Sequence, residues 1–175
     1  MDGGVKSLVG VFGMTDFMIP RVLDDLTDEQ AYARPRGDGG PSIAWTVGHL
    51  LYYRGFMMER FGRENPVGER LEPLFANTAA SDGSDYPSLE EMRGLWDETS
   101  ADFASALSGL DDEALDAALM DGWHAEQTLR DQVVFFAWHE GYHLGAIGQI
   151  RKELGLLGPA ERVAAARKAE KDGGS

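Results

Sequence analysis

Apolar residues along this chain recur at three- and four-residue spacing in four long stretches, and no stretch alternates with the two-residue period of a strand. The first, residues 5–26, repeats Val5, Leu8, Val9 and Phe12, then Met18, Val22, Leu23 and Leu26. Pro20 falls inside it, where a missing N–H and a ring clash predict a kink or an interruption. The second, residues 43–61, follows Ser42, a good N-cap, and sets Trp45, His49, Tyr52, Tyr53 and Phe56 on one face. Residues 62–87 are rich in Gly, Pro, Asn, Ser and Asp, with Leu71, Leu74 and Phe75 as apolar anchors, and read as a long crossover loop able to cover a pocket. Ser88 and Glu91 have the spacing of a capping box at the head of the third stretch, in which Leu89, Met92, Trp96, Thr99, Phe103, Ala106 and Leu110 keep bundle spacing. Thr128 caps the fourth, whose seam reads Leu129, Gln132, Phe136, His139, His143, Ala146 and Ile150 and ends near Gly155.

These elements predict an all-α protein, a four-helix bundle with a long crossover loop between its second and third helices. At 175 residues, with no repeat and no second composition regime, the chain reads as one bundle domain over residues 1–158. Residues 159–175 are charged and Ala-rich and read as a frayed helix running into a flexible tail, with nothing in them that suggests chemistry.

Composition narrows the chemistry. The absence of cysteine removes disulfides, iron–sulfur clusters, thiolate zinc sites and a cysteine nucleophile, so any metal must be held by nitrogen and oxygen. No leader pattern and no apolar run of membrane-spanning length is present, which leads us to expect a soluble cytoplasmic protein. A net charge of −14, from 30 acidic against 16 basic residues, disfavours nucleic acid and anionic membranes as partners but by itself gives no substrate; the expected partner is a small-molecule substrate.

Three of the four histidines interrupt apolar faces. His139 and His143 stand one turn apart in FFAWHEGYHLGAIGQI, close enough to hold one ion between them, and His49 occupies the inward face of the second helix. A lone inward histidine usually satisfies a hydrogen bond of the core; three of them compound the desolvation cost unless something binds them together. Three imidazoles would leave open coordination positions, the pattern of a catalytic rather than a structural site. His124, in a connector beside Trp123, reads as a surface residue. His139, Glu140 and His143 also spell H-E-x-x-H, in which the glutamate serves zinc proteases as general base. Neither of the usual extensions follows, however, since Ala146 and Gln149 stand where one of them requires Gly and His. Glu140 lies beside the seam, where a solvent-facing carboxylate, or one supporting the ligands, is the simpler reading. Gly141, Gly145 and Gly148 form a small-residue strip on another face of this helix, suited to close packing against a bundle neighbour or the second copy of a homodimer.

The stretch SIAWTVGHLLYYR, followed much later by HEGYHLGAIGQIRKELG, resembles the DinB-like superfamily of four-helix bundles, as do Arg34–Pro35 before the second helix and the pattern of Gly148, Gln149, Arg151 and Gly155. The resemblance implies that His49, His139 and His143 together bind one divalent metal, with Zn, Ni and Fe all compatible with imidazole ligands. It places the chain among the three-histidine members and implies no DNA binding. Characterised relatives of this type include thiol S-transferases and isomerases that use bacillithiol, mycothiol or related thiols. The resemblance therefore implies a metal that activates such a thiol for attack on an electrophile. Trp45, Tyr52, Tyr53 and Phe56 are then candidate pocket walls, or plain core, and Glu140 and Tyr53 are the candidate catalytic groups. A metal-dependent hydrolase, with Glu140 or Glu59 moving protons, and a non-catalytic metal- or ligand-binding bundle are the alternatives.

Overall fold

The computed structural model describes residues 3–37, 40–76, 83–122 and 127–173. Among these, the regular structure is helical: α1 (Gly3–Leu23), α2 (Asp28–Tyr32), α3 (Ile43–Arg60), α4 (Gly68–Phe75), α5 (Leu89–Ser108), α6 (Asp112–Leu115), α7 (Leu129–Glu153) and α8 (Pro159–Gly173). The long helices start where their caps predict. Ser42 Oγ accepts from the Trp45 amide at 3.0 Å, and Ser88 Oγ from the Glu91 amide at 3.2 Å. Thr128 and Asp131 exchange bonds reciprocally as a capping box. The Glu91 side chain instead pairs with Arg70 at 2.7 Å. At the other end, Gly62 and Gly155 take φ of 70° and 76°, a left-handed conformation that costs glycine little. The following amides, Arg63 and Leu156, then close back onto the Met58 and Arg151 carbonyls at 2.9 and 2.8 Å.

Both α1 and α3 pack against α5 and α7, so α1 lies diagonally opposite α3, and α5 opposite α7. The buried side chains form two apolar clusters stacked along the bundle. One contains Ile19, Leu50, Leu51, Trp96, Ile147 and Ile150, and the other Phe12, Met57, Met58, Phe103, Val133 and Phe136. Between the two, each long helix contributes a polar residue: Asp16 from α1, Arg54 from α3, Ser100 from α5 and Glu140 from α7. Arg54, 2% exposed, reaches all three others. Its Nε and Nη2 donate to both Glu140 oxygens at 2.6 and 2.9 Å, and its Nη1 donates to Asp16 Oδ1 at 2.5 Å and Ser100 Oγ at 2.6 Å. The guanidinium also lies 4.2 Å from the Trp96 ring.

Several expectations need correction. The first helix runs unbroken through Pro20 and ends at Leu23, short of Leu26. Its terminal carbonyls are taken by arginines: Arg162 bonds to Arg21, Arg151 to Val22 at 2.6 Å, and Arg93 to Leu23. Arg151, fully buried, also grips both oxygens of Asp25 at 2.9 Å. Burial alone would raise the Asp25 carboxyl, but Arg151 and Arg162 outweigh it and hold it below the usual carboxylate range. The crossover segment contains a helix, α4, because Val67, Leu71 and Phe75 recur at helical spacing and bury that face against α3. Residues 159–173 form α8, whose Arg162 bonds to the Arg21 carbonyl in α1 and to Asp24 just beyond it. The glycine strip is not one packing surface: a Cβ at Gly148 would meet Pro159, whereas Gly141 and Gly145 face open space. Trp138 and Tyr142, each 61% exposed and stacked on one another, share that outer side of α7. Among the described residues no helix is long and apolar enough to cross a membrane.

Candidate metal centre

The pairing of α3 with α7 brings the three histidines together. His139 Nε2 lies 3.0 Å from His143 Nε2 and 3.3 Å from His49 Nε2. The ligand atoms of all three fall within 4.8 Å of one another. An ion bound to nitrogen at about 2.05 Å holds its ligand atoms about 3.3 Å apart when tetrahedral and about 2.9 Å apart when octahedral, so both contacts have the length of a coordination edge. Imidazole lone pairs that face one another at this distance repel unless a proton or a cation sits between them. The donor set fits a divalent ion that accepts nitrogen ligands.

Protonation favours the same reading. His49 Nδ1 lies 2.7 Å from the Phe75 carbonyl oxygen; as donor of that bond it leaves the Nε2 lone pair for the cluster. Burial depresses all three imidazoles. His139 falls to about 4, with the neighbouring His49 adding to the effect of burial, and His143 to about 3, with His139 and His49 adding. His49 is lowered by burial, only partly offset by its bond to Phe75. At neutral pH the cluster is therefore three uncharged imidazoles.

Aromatic rings enclose it. Trp45 stacks on His49 at 4.6 Å, and Tyr53 stands edge-on to His49 at 4.8 Å and to His139 at 5.3 Å. Tyr142 approaches His143 at 5.0 Å. Of the expected wall residues, Trp45 and Tyr53 thus touch the histidines. Tyr52 and Phe56 line an open cleft of about 730 Å³ with Glu59, Asn65 and Glu72 from the α3–α4 side. Glu140 is 3% exposed, which corrects the solvent-facing expectation: α7 turns it into the polar layer, where Arg54 occupies both its oxygens. Glu59 is exposed and accepts from Asn65 at 3.0 Å. His124 and Trp123 lie outside the described residues.

Two contributors were not read from the sequence. One is the Phe75 carbonyl, which α4 carries to His49. The other is Gly48, whose lack of a side chain admits the Phe75 ring: a Cβ there would lie 2.4 Å from ring carbons. Elsewhere in a helix Gly→Ala gains about 1 kcal/mol, and Gly141→Ala, facing open space, is expected to gain up to that amount. Gly48→Ala is expected instead to cost about 1–3 kcal/mol in urea unfolding, because Phe75 and α4 must move. It should weaken divalent-metal binding in the same variant, since His49 then loses the carbonyl that orients it. Equal stabilisation by both substitutions would show that α4 yields freely.

Residues 18–147 match the family model of the DinB superfamily. No curated protein is significantly similar to the chain in sequence. Among solved structures, the fold is similar to that of YfiT from Bacillus subtilis, described as a probable metal-dependent hydrolase with an unusual four-helix bundle topology. The TM-score is 0.65, at 17% identity over 89% of this chain and 91% of YfiT. With the match spanning most of the bundle, from the end of α1 to beyond His143 in α7, the chain belongs to the DinB superfamily.

Proposed function

We propose that this protein is a metal-dependent enzyme that activates a low-molecular-weight thiol of the bacillithiol or mycothiol type for attack on an electrophile. The observation that carries the reading is the convergence of His49, His139 and His143 through their Nε2 atoms. A divalent ion held there, Zn, Ni or Fe, would supply Lewis acidity and lower the proton affinity of a thiol or a water reaching an open position. The chain itself contributes three neutral ligands, the carbonyl of Phe75 that fixes His49, and the rings of Trp45 and Tyr53 that limit water around the histidines. Glu140, turned into the polar layer and held by Arg54 through both oxygens, is not placed to pull a proton from an attacking group. Chemistry that generates its nucleophile by a lowered pKa alone suits such a site, and a thiol, already far more acidic than water, needs the smaller shift.

Hydrolysis is the second reading, favoured by the similarity in fold to YfiT, described as a probable metal-dependent hydrolase. The test begins with elemental analysis of protein purified without a metal-affinity tag. Near-stoichiometric divalent metal is expected in the wild type, with at least a tenfold loss in His49→Ala and in His143→Ala. Absence of metal after reconstitution would reduce the three histidines to core residues. The loaded protein, given model electrophiles and esters with and without thiol, then separates the readings. Turnover only with thiol supports transfer, thiol-independent product supports hydrolysis, and metal-dependent stability without turnover supports a binding role.

A further inference from the structure

His139 holds a ring nitrogen that nothing among the described residues satisfies. Its Nε2 faces the other two imidazoles, while its Nδ1 is buried and has no hydrogen-bond partner. His139 also lines a small cavity of about 10 Å³, walled by apolar side chains and by Tyr53, Arg54 and Glu140. That is room for one water molecule, and a buried water needs two to four polar partners to be retained. Glu140 supplies an acceptor: each of its oxygens takes one bond from Arg54, which leaves lone pairs on both.

We propose that this cavity is a site for a single ordered water that accepts from His139 Nδ1–H and donates to the Glu140 carboxylate. Glu140 is then a positioning residue. It acts on His139 through the water, and Arg54 holds it in place from the polar layer at the centre of the bundle. The consequence is a choice of tautomer. With its proton kept on Nδ1, His139 presents Nε2 as a lone pair, as the Phe75 carbonyl does for His49 at 2.7 Å. Two of the three imidazoles are thus oriented from behind by different devices, a backbone carbonyl on α4 and a water-linked carboxylate on α7. The polar layer that ties the four helices together and the histidine cluster are parts of one network.

The water and the tautomer belong to the metal-free protein; only the effect on ligand strength rests on the metal-binding reading above. Nitrogen-15 labelling of the histidines in metal-free protein at pH 7 reads the tautomer directly, and nuclear Overhauser contacts to a long-lived water read the cavity. The expected result is His139 protonated at Nδ1, with water contacts to the Phe136 and Tyr53 rings. Glu140→Gln should shift His139 toward a tautomer mixture and weaken zinc binding by 10- to 100-fold. Wild-type His139 protonated at Nε2, or no retained water, overturns the proposal whether or not the variant folds. Zinc affinity unchanged in a folded Glu140→Gln protein overturns the positioning role. A wild type that shows the water and the Nδ1 tautomer yet binds no metal would sink the metal reading and leave the bridge standing.

Discussion

Replacing Arg54 with alanine is expected to remove about 3–5 kcal/mol of folding stability, the cost of stranding a buried charge by deleting its partner. Arg54 is 2% exposed and Glu140 3%, so the carboxylate left behind cannot recover its hydration without opening the bundle. The substitution also vacates the space over Trp96 and cuts the bond to Ser100. Arg36 provides the contrast. It makes a bidentate pair with Glu153 at 2.8–3.2 Å, but its side chain is 53% exposed, and water and salt screen such pairs until they contribute little. Urea unfolding of both alanine variants should therefore separate them widely, with a fall in melting temperature on the order of 10 °C for Arg54→Ala. Losses of similar size in the two variants would show that the polar layer hydrates easily. The double change Arg54→Met with Glu140→Met is expected to regain much of the loss, because apolar replacements of a buried ion pair are often neutral or stabilising. Asp16, 26% exposed on its side chain, can turn to water in that background. What the double variant should not regain is the orientation of His139.

This layer marks where the sequence stopped being readable. The four long helices were legible from period and caps, since Ser42, Ser88 and Thr128 need only the local chain to do their work. The three histidines that cluster were legible as candidates for a related reason: a histidine on an apolar stripe is a local anomaly. Arg54 was not, because taken alone it looks like an ordinary solvent-facing charge on a helix, and Glu140, singled out beside the histidines, was left open between a solvent-facing and a supporting carboxylate. Only the diagonal arrangement of the helices, which the spacing of apolar residues does not encode, turns them toward one another. The α4 helix was hidden by Pro73 and by the turn-forming residues around it, although Val67, Leu71 and Phe75 carried its spacing. With α4 unread, the partner of His49 and the reason for Gly48 were unread as well. The Gly141, Gly145 and Gly148 strip shows the opposite failure: a helical face can be drawn from sequence, but what stands opposite cannot, and here only Gly148 meets a neighbour.

Acidification should distinguish this site from histidines on a surface. An exposed imidazole, with an ordinary pKa near about 6.5, begins to lose metal to protons as pH falls below that value. Here burial holds His139 at about 4 and His143 at about 3 and also lowers His49, so divalent-metal affinity is expected to fall at lower pH than it would at a site of exposed histidines. The metal-free protein should respond earlier, and with a definite sign. Its folded imidazoles have pKa values below those of the unfolded chain, so between about pH 6.5 and pH 3 the unfolded state binds more protons than the folded one. Stability of the metal-free form is therefore greatest above about pH 6.5 and declines continuously as pH falls through that window. Bound metal adds stability according to its concentration relative to its dissociation constant, so the loaded form should resist acid until the ion is displaced. Thermal melts of both forms from pH 7 to pH 4 should diverge as the pH is lowered. In His143→Ala the divergence should vanish, and the metal-free variant should itself be less acid-sensitive than the wild type, because one buried imidazole no longer has to stay neutral. Metal-free wild type that gains stability on acidification across the same window would mean that the imidazoles take up protons in the folded state, and that the site is shaped for something other than a cation.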